Sequence, residues 1–256
     1  MIQLGKVLSV LFLLLFTLSC GSKGDHRTAS RESALIAPIA KELDQDIFQI
    51  YVARAWSWRG YFAVHPWVAW KKAGEKEYTT AAVIGFRMRN GKSSVVVHKD
   101  VPDRRWFDSM PELIFQAYGA KAGKIIKQMP ALIKSYPYHF QYRAWPGPNS
   151  NTFVSYLIRS VDEIDAELPA HAIGKDWLAR SYMFDSSPSG KGYQMSLLGV
   201  AGLTVGLEEG VELNFLSLNF GVDFWPLALK LPFVGRVGMD DGKIQPIPSK
   251  KALTPP

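Results

Sequence analysis

The sequence has little cysteine: Cys20 is the single one among 256 residues. A disulfide within the chain needs two cysteines, so neither a disulfide framework nor a cysteine-based metal site can form. The chain also lacks a glycine-rich phosphate loop, a paired-carboxylate pattern and a His-x-x-x-His ligand pair. We therefore expect no metal, no nucleotide and no other cofactor.

The sequence also has no hydrophobic run of the roughly 20 residues that a membrane-spanning helix needs. The run at residues 7–16 is shorter than that. Lys6 precedes this run and small residues follow it, so residues 1–19 are typical of a secretory signal peptide. Cys20 at the end of such a segment resembles the lipobox of bacterial lipoproteins. That resemblance implies a lipid-modified Cys20 as the new N-terminus. A plain secreted protein with an incidental thiol is the alternative.

Gly21 and Ser22, rather than Asp, follow the cysteine. By the same resemblance, this implies a cell-envelope protein anchored in the outer membrane and facing the periplasm. The excess of basic charge is moderate, since 30 Lys and Arg against 23 Asp and Glu give +7. This excess favours anionic surfaces such as lipid head groups as a partner. The basic residues are scattered among acidic ones, which is typical of ordinary solvated surface and predicts no nucleic-acid binding.

The domain organisation follows from composition. We predict a lipidated N-terminus and tether at residues 20–45, one globular domain at 46–238 and a proline-rich extended tail at 239–256. We find no low-complexity linker within the predicted domain.

The hydrophobic pattern predicts the elements of that domain. Aromatic and β-branched runs predict an antiparallel meander, and they lie at residues 47–56, 61–70, 78–88 and 93–98. Residues 110–135 have helical spacing and predict two helices. Residues 193–220 predict a hairpin that turns at 207–210, with a bulge between Phe215 and Leu216. The fold class is therefore α+β, with an antiparallel sheet or half-barrel packed against helices.

The stiffest stretch is residues 145–154 (WPGPNSNTFV), which joins a turn to a helix. Its prolines force the turn, residues 149–151 are good N-cap residues, and residues 153–159 have the pattern of an apolar helix. Free N–H groups at a helix start favour a developing negative charge. Ser150 is therefore a candidate nucleophile, and an ordinary helix cap is the alternative.

A serine nucleophile needs a base within hydrogen-bond reach. His65 interrupts an aromatic strand, where burial would lower its pKa and keep the imidazole neutral. It is the candidate general base, and a histidine bonded to backbone beside Pro66 is the alternative. Side chains that could orient this pair or line its cleft are Asn149, Asn151, His98, Lys175 and Asp176.

Eight tryptophans make aromatic side chains a second source of function. Trp67 and Trp145, together with His65, predict an aromatic cleft that would bind a ligand. Packing of these rings in the core is the alternative.

Three strings carry a resemblance to a family of uncharacterised bacterial proteins: VHPW at 64–67, WPGPNSNTFV at 145–154 and AIGKD at 172–176. More distantly, the chain resembles circularly permuted papain-like proteins, which place a histidine on an early strand and a cysteine in an Asn-Cys-x-x-Phe-Val helix start. His65 matches the first feature, and residues 149–154 match the second with Ser150 in place of cysteine. This resemblance implies a permuted papain-like fold and chemistry at Ser150 and His65.

Two functions remain open at this point. The first is an envelope-anchored amide or ester hydrolase, or an acyltransferase, that acts on peptidoglycan peptide or lipid. The second is a non-catalytic lipoprotein that binds a glycan, peptide or lipid in the aromatic cleft.

Overall fold

The computed structural model describes residues 25–240 and residue 244. The predicted signal peptide, Cys20 and most of the predicted tail lie outside the described residues. From Arg31 onward, the described residues belong to one compact unit, which contains two antiparallel sheets.

Sheet A has five strands in the order β4-β3-β2-β1-β5. The strands are β1 (Ile47–Arg54), β2 (Val64–Lys71), β3 (Thr79–Val83), β4 (Val95–Lys99) and β5 (Pro111–Tyr118). Short 3₁₀ helices, Ser57–Tyr61 and Gly85–Asn90, connect β1 to β2 and β3 to β4. All four predicted strands are present with altered ends, but the strand predicted at 78–88 stops at Val83, because Gly85–Asn90 form a 3₁₀ helix.

The two helices predicted at residues 110–135 are wrong in their first part. Residues 111–118 form β5, which pairs with β1, and a single helix, α1 (Gly119–Ser135), follows. Pairing with a buried neighbouring strand outweighs the helical spacing of the apolar residues.

Helix α2 (Ser150–Arg159) begins and ends as the sequence predicted. Both helices pack on one face of sheet A, where Phe48, Ile50 and Val52 of β1 alternate inward and meet Ile125 and Phe153. A smaller apolar cluster covers the opposite face and contains Tyr51, Trp67, Ala69 and Trp106. Both faces of sheet A are therefore covered.

Sheet B has seven strands, and each strand lies beside its neighbour in sequence. The strands are β6 (Phe184–Ser186), β7 (Gly192–Leu197), β8 (Ala201–Gly206), β9 (Gly210–Phe215), β10 (Leu218–Phe224), β11 (Leu227–Leu231) and β12 (Gly235–Gly238). The turn between β8 and β9 confirms the one predicted at 207–210. The predicted bulge is wrong: Leu216 and Ser217 have φ of 53° and 63° and form a two-residue turn, which places Phe215 opposite Leu218.

The fold is richer in β-structure than the expected α+β class, with 35% of residues in strands and 18% in helices. An antiparallel sheet packed against helices is present, as expected. Sheet B is a second layer that the sequence analysis did not separate from the first. The architecture does not confirm a permuted papain-like fold.

Candidate functional site

The start of α2 is built around Asn149, which is its N-cap. The Asn149 side-chain oxygen accepts hydrogen bonds from the backbone N–H groups of Asn151 (2.9 Å) and Thr152 (3.2 Å). The Thr152 hydroxyl accepts the Asn149 N–H at 3.0 Å, which completes a capping box. The predicted cap is confirmed, and Asn149 rather than Ser150 provides it.

Ser150 is the first residue of α2 and is buried. Within residues 25–240 and 244, its hydroxyl makes no hydrogen bond. Among the described residues, no general base is therefore hydrogen-bonded to Ser150.

His65 lies in β2, where side chains alternate between the two faces of sheet A. Val64 packs in the cluster that contains α2, whereas the His65 ring stacks on Trp106 on the opposite face, with centroids 3.7 Å apart. Burial, followed by the charge of Arg104, lowers the pKa of His65 to about 3. The imidazole is neutral, but sheet A separates it from α2. Ser150 and His65 are not brought together as a nucleophile and its base.

The predicted aromatic cleft is not assembled either. Trp67 is buried, stacks on Tyr51 and donates its Nε1–H to the Pro102 carbonyl at 2.7 Å. Trp145 lies beside sheet B, where its Nε1–H donates to the Leu216 carbonyl at 3.2 Å. Trp67 and His65 belong to the aromatic cluster behind sheet A, so the core interpretation holds for both of them.

The other residues assigned to that cleft have separate positions. Asn151 Nδ2 donates to the backbone carbonyls of Val64 (3.2 Å) and Ile173 (2.8 Å), which fixes α2 against β2 and the 169–175 loop. His98 lies on the edge strand β4, where its Nε2 contacts the Asp100 carboxylate at 2.9 Å.

Asp176 holds the buried face of sheet B. Its carboxylate accepts hydrogen bonds from Gln194 (2.6 Å), Asn214 (2.8 Å) and Asn219 (2.9 Å), which lie on β7, β9 and β10. Its backbone carbonyl accepts the Ser196 hydroxyl at 2.6 Å. The predicted cleft residue is therefore a central acceptor under three strands.

Lys175 lies in a buried cluster of charges under the same sheet. Its Nζ contacts Glu167 at 3.2 Å and Glu212 at 2.5 Å, and Lys230 Nζ contacts Asp223 at 2.9 Å. Burial acts to raise the pKa of Glu167, but the charges of Lys175 and Lys230 outweigh it and lower that pKa to about 2. The positive and negative charges of this cluster therefore offset one another inside the protein.

The opposite surface of sheet B, here called the outer face, is apolar. Side chains of its strands alternate between the buried polar face and this exposed or half-exposed one. From β7 to β11, the outer face consists of Tyr193, Met195, Leu197, Ala201, Leu203, Val205, Val211, Leu213, Phe215, Leu218, Phe220, Val222, Phe224, Leu227, Leu229 and Leu231.

The outer face is large for a solvent-exposed apolar surface. The five strands β7 to β11, of about six residues each, give this face a size of roughly 20 by 24 Å. The largest apolar patch on a typical monomer is about 300–600 Å² and often has a function. The sequence pattern places Val211, Leu213 and Phe215 on one face of a strand without saying which face is buried. Glu212, Asp223 and Lys230 on the alternate positions would by themselves favour burial of the apolar face, because charged side chains are rarely buried unless they are paired.

Within the ranges that the structure describes, no helix is long and apolar enough to cross a membrane. No group of three or more His, Cys, Asp and Glu side chains there is arranged to hold a metal ion.

Comparison with curated proteins and with solved structures finds no match to this chain. The family described as "Protein of unknown function (DUF3750)" matches residues 45–177. The matched region contains sheet A, both helices and the Lys175–Asp176 pair, whereas sheet B follows it in the sequence. Because the match covers slightly more than half of the 256 residues, the chain belongs to the DUF3750 family.

Proposed function

We propose that this protein is a non-catalytic, lipid-anchored protein of the bacterial cell envelope whose outer face lies on the surface of a lipid bilayer. The observation that carries the proposal is that every outward position from β7 to β11 is apolar. Transfer of apolar surface from water into hydrocarbon contributes about 25 cal/mol per Å². A face of this size therefore provides a strong driving force for contact with lipid.

The chemistry of the outer face favours lipid over a protein partner. Protein interfaces typically form about one hydrogen bond per 100–200 Å². Among the outward side chains from β7 to β11, Tyr193 contributes the sole hydroxyl group. Fluid acyl chains need neither hydrogen bonds nor a fixed complementary shape.

Aromatic side chains flank the outer face at both ends of its strands. Trp225 occupies the β10–β11 turn and is 87% exposed. Tyr182 precedes β6, and Trp145 contacts the β9–β10 turn, so both lie at the opposite end. Tryptophan and tyrosine concentrate at the boundary between water and hydrocarbon, which suits a sheet lying flat on a bilayer.

Two sequence features support the same location. The predicted lipid on Cys20 would hold the domain close to the membrane. A second contact through the outer face would add to that anchor. The net charge of +7 favours anionic head groups.

A non-catalytic role rests on the separation of Ser150 from His65. The hydrolase hypothesis required these two side chains to share a hydrogen bond across one cleft. Their placement on opposite sides of sheet A removes the specific support for catalysis.

Vesicle flotation tests the proposal with the mature chain carrying Cys20→Ser, which removes lipidation. We expect this protein to float with vesicles of phosphatidylethanolamine and phosphatidylglycerol. Phe215→Asp on the outer face should reduce binding at least tenfold, because it removes an exposed aromatic group that would enter the lipid and adds a charge. The matched control is Phe86→Asp on the 3₁₀ helix before β4, since Phe86 and Phe215 are 66% and 65% exposed.

Two results would count against the proposal. One is that the protein with an unmodified outer face binds vesicles at none of the concentrations tested. The other is a dimer in sedimentation velocity that Phe215→Asp dissociates while vesicle binding stays absent. That second result would assign the outer face to a second copy of the chain.

A further inference from the structure

Three buried polar atoms without hydrogen-bond partners lie where the first turn of α2 meets both sheets. They are Arg54 Nη1, Asn151 Oδ1 and His171 Nδ1, and none has a partner among the residues that the structure describes. Asn151 and His171 are 97% and 94% buried, as their exposed fractions are 3% and 6%. Buried polar groups are normally paired, and each unpaired one costs about 1–3 kcal/mol. We call these three residues the polar junction.

Contacts through β2 and the 169–175 loop hold the polar junction together. Arg54 is opposite Val64 in the β1–β2 pair, and the Val64 carbonyl accepts from Asn151 Nδ2. The same Nδ2 donates to the carbonyl of Ile173, two residues beyond His171. Because both amide protons of Asn151 are used, its unpaired Oδ1 can only accept a hydrogen bond.

The β11–β12 turn closes the junction from the side of sheet B. Arg54 Nη2 donates to the Phe233 carbonyl at 2.7 Å. A Cβ added at Gly235, whose φ is +98°, would lie 3.0 Å from His171 Cε1 and 3.3 Å from Nδ1. The Nδ1 edge of the imidazole and the guanidinium therefore face the same turn. Arg54 as a whole residue is half-buried, although its Nη1 atom is buried like the other two atoms.

The local field favours an anion. Arg54 contributes a positive charge, offset in part by Glu112, and the N-terminus of the ten-residue α2 adds partial positive charge. Burial, with the charges of Arg54 and Lys175, lowers the pKa of His171 to about 4. A neutral His171 can offer an N–H at Nδ1, so the junction presents two donors and one acceptor.

We propose that the polar junction binds a phosphate monoester or inorganic phosphate in a form that carries a P–O–H group. Arg54 Nη1 and His171 Nδ1 would donate to two phosphate oxygens, and Asn151 Oδ1 would accept the phosphate O–H. A carboxylate would satisfy the donors but leave Asn151 unpaired. This site is separate from the outer face and does not depend on lipid contact there. The phosphate could belong to a lipid head group or to a soluble molecule.

Thermal unfolding of the Cys20→Ser chain with inorganic phosphate near pH 6 tests the site, because the phosphate then still carries a P–O–H group that can donate to Asn151 Oδ1. We expect a saturable rise in Tm that exceeds the rise with acetate or chloride at equal ionic strength. Arg54→Gln should weaken phosphate binding at least tenfold. Arg59→Gln is the matched control, since Arg59 is an exposed arginine on the 3₁₀ helix just after β1.

A short-chain, water-soluble phosphatidic acid identifies the source of the phosphate. Much tighter binding of this lipid than of inorganic phosphate would indicate a lipid head group, and equal binding would indicate a soluble phosphate. The proposal is overturned if neither probe binds the wild-type chain, or if Arg54→Gln binds phosphate as well as Arg59→Gln does. Should Arg54→Gln unfold, Arg54→Lys replaces it, with at least a fivefold loss expected. Phe215→Asp should leave the phosphate response unchanged, which separates this site from the outer face.

Discussion

Sheets A and B are both antiparallel, but they bury different kinds of side chain. In sheet A, the helices cover one apolar face and an aromatic cluster covers the other. In sheet B, the buried face carries amides and charges, whereas the apolar face points outward. The comparison teaches that alternation predicts a strand but does not say which of its faces is buried.

The inverted sheet is stable because its polar face has partners. Asp176 accepts three side-chain amides, and Lys175 and Lys230 pair with the acidic side chains beside them. Without these partners, each buried amide or charge would be strongly destabilising. Sheet B therefore depends on Lys175 and Asp176, which lie within the family match although sheet B follows it.

The same substitution in both sheets tests the comparison most directly. Phe48 of sheet A is fully buried and Phe215 of sheet B is 65% exposed. We expect Phe48→Ala to lower the free energy of unfolding by about 3–5 kcal/mol, because it leaves a cavity. Phe215→Ala should change it by less than about 0.5 kcal/mol in urea denaturation. A large loss for Phe215→Ala would mean that the outer face is covered in the isolated protein.

Removing the central acceptor of sheet B should have the next largest effect. Asp176→Ala leaves the amides of Gln194, Asn214 and Asn219 without that acceptor, so we expect a loss of about 3 kcal/mol or more. The control is Asp100→Ala, which removes a partly exposed partner of His98 and Arg104 and should cost at most about 1 kcal/mol. Equal losses in urea denaturation would refute the central role of Asp176.

The sequence predicted the parts of the fold that depend on local pattern. It predicted the presence of the first four strands, and the cap and the extent of α2. It failed at β5, because pairing with β1 makes that segment a strand. It also failed at sheet B, because the burial of its polar face depends on Asp176, which is distant in the sequence. The hypothesis that His65 and Ser150 act together depends on their residue types, which fit catalysis. The register of β2 decides the face of sheet A to which the His65 side chain points, and that face is opposite to α2.

A pH titration distinguishes the buried His65 imidazole of sheet A from the paired charges of sheet B. The folded pKa of His65, about 3, lies below its ordinary value of 6.5. The unfolded chain therefore takes up the proton first, so the contribution of His65 is fully present above pH 6.5 and is lost as the pH falls toward 3. We expect His65→Gln to flatten the fall in unfolding free energy between pH 6 and 4 by about 1.4 kcal/mol per pH unit. Parallel curves for the two proteins would contradict this burial argument.

The start of α2 gives the smallest expected effect and separates its two neighbouring side chains. Asn149→Ala removes the cap and the hydrogen bonds to Ala144 and Ile173, so we expect a loss of about 1–2 kcal/mol in urea denaturation. Ser150→Ala removes a hydroxyl without a hydrogen bond among the described residues and should cost less than about 0.5 kcal/mol. A serine-reactive fluorophosphonate should leave the wild-type protein unlabelled. Labelling that Ser150→Ala abolishes would restore the hydrolase hypothesis, with a base other than His65.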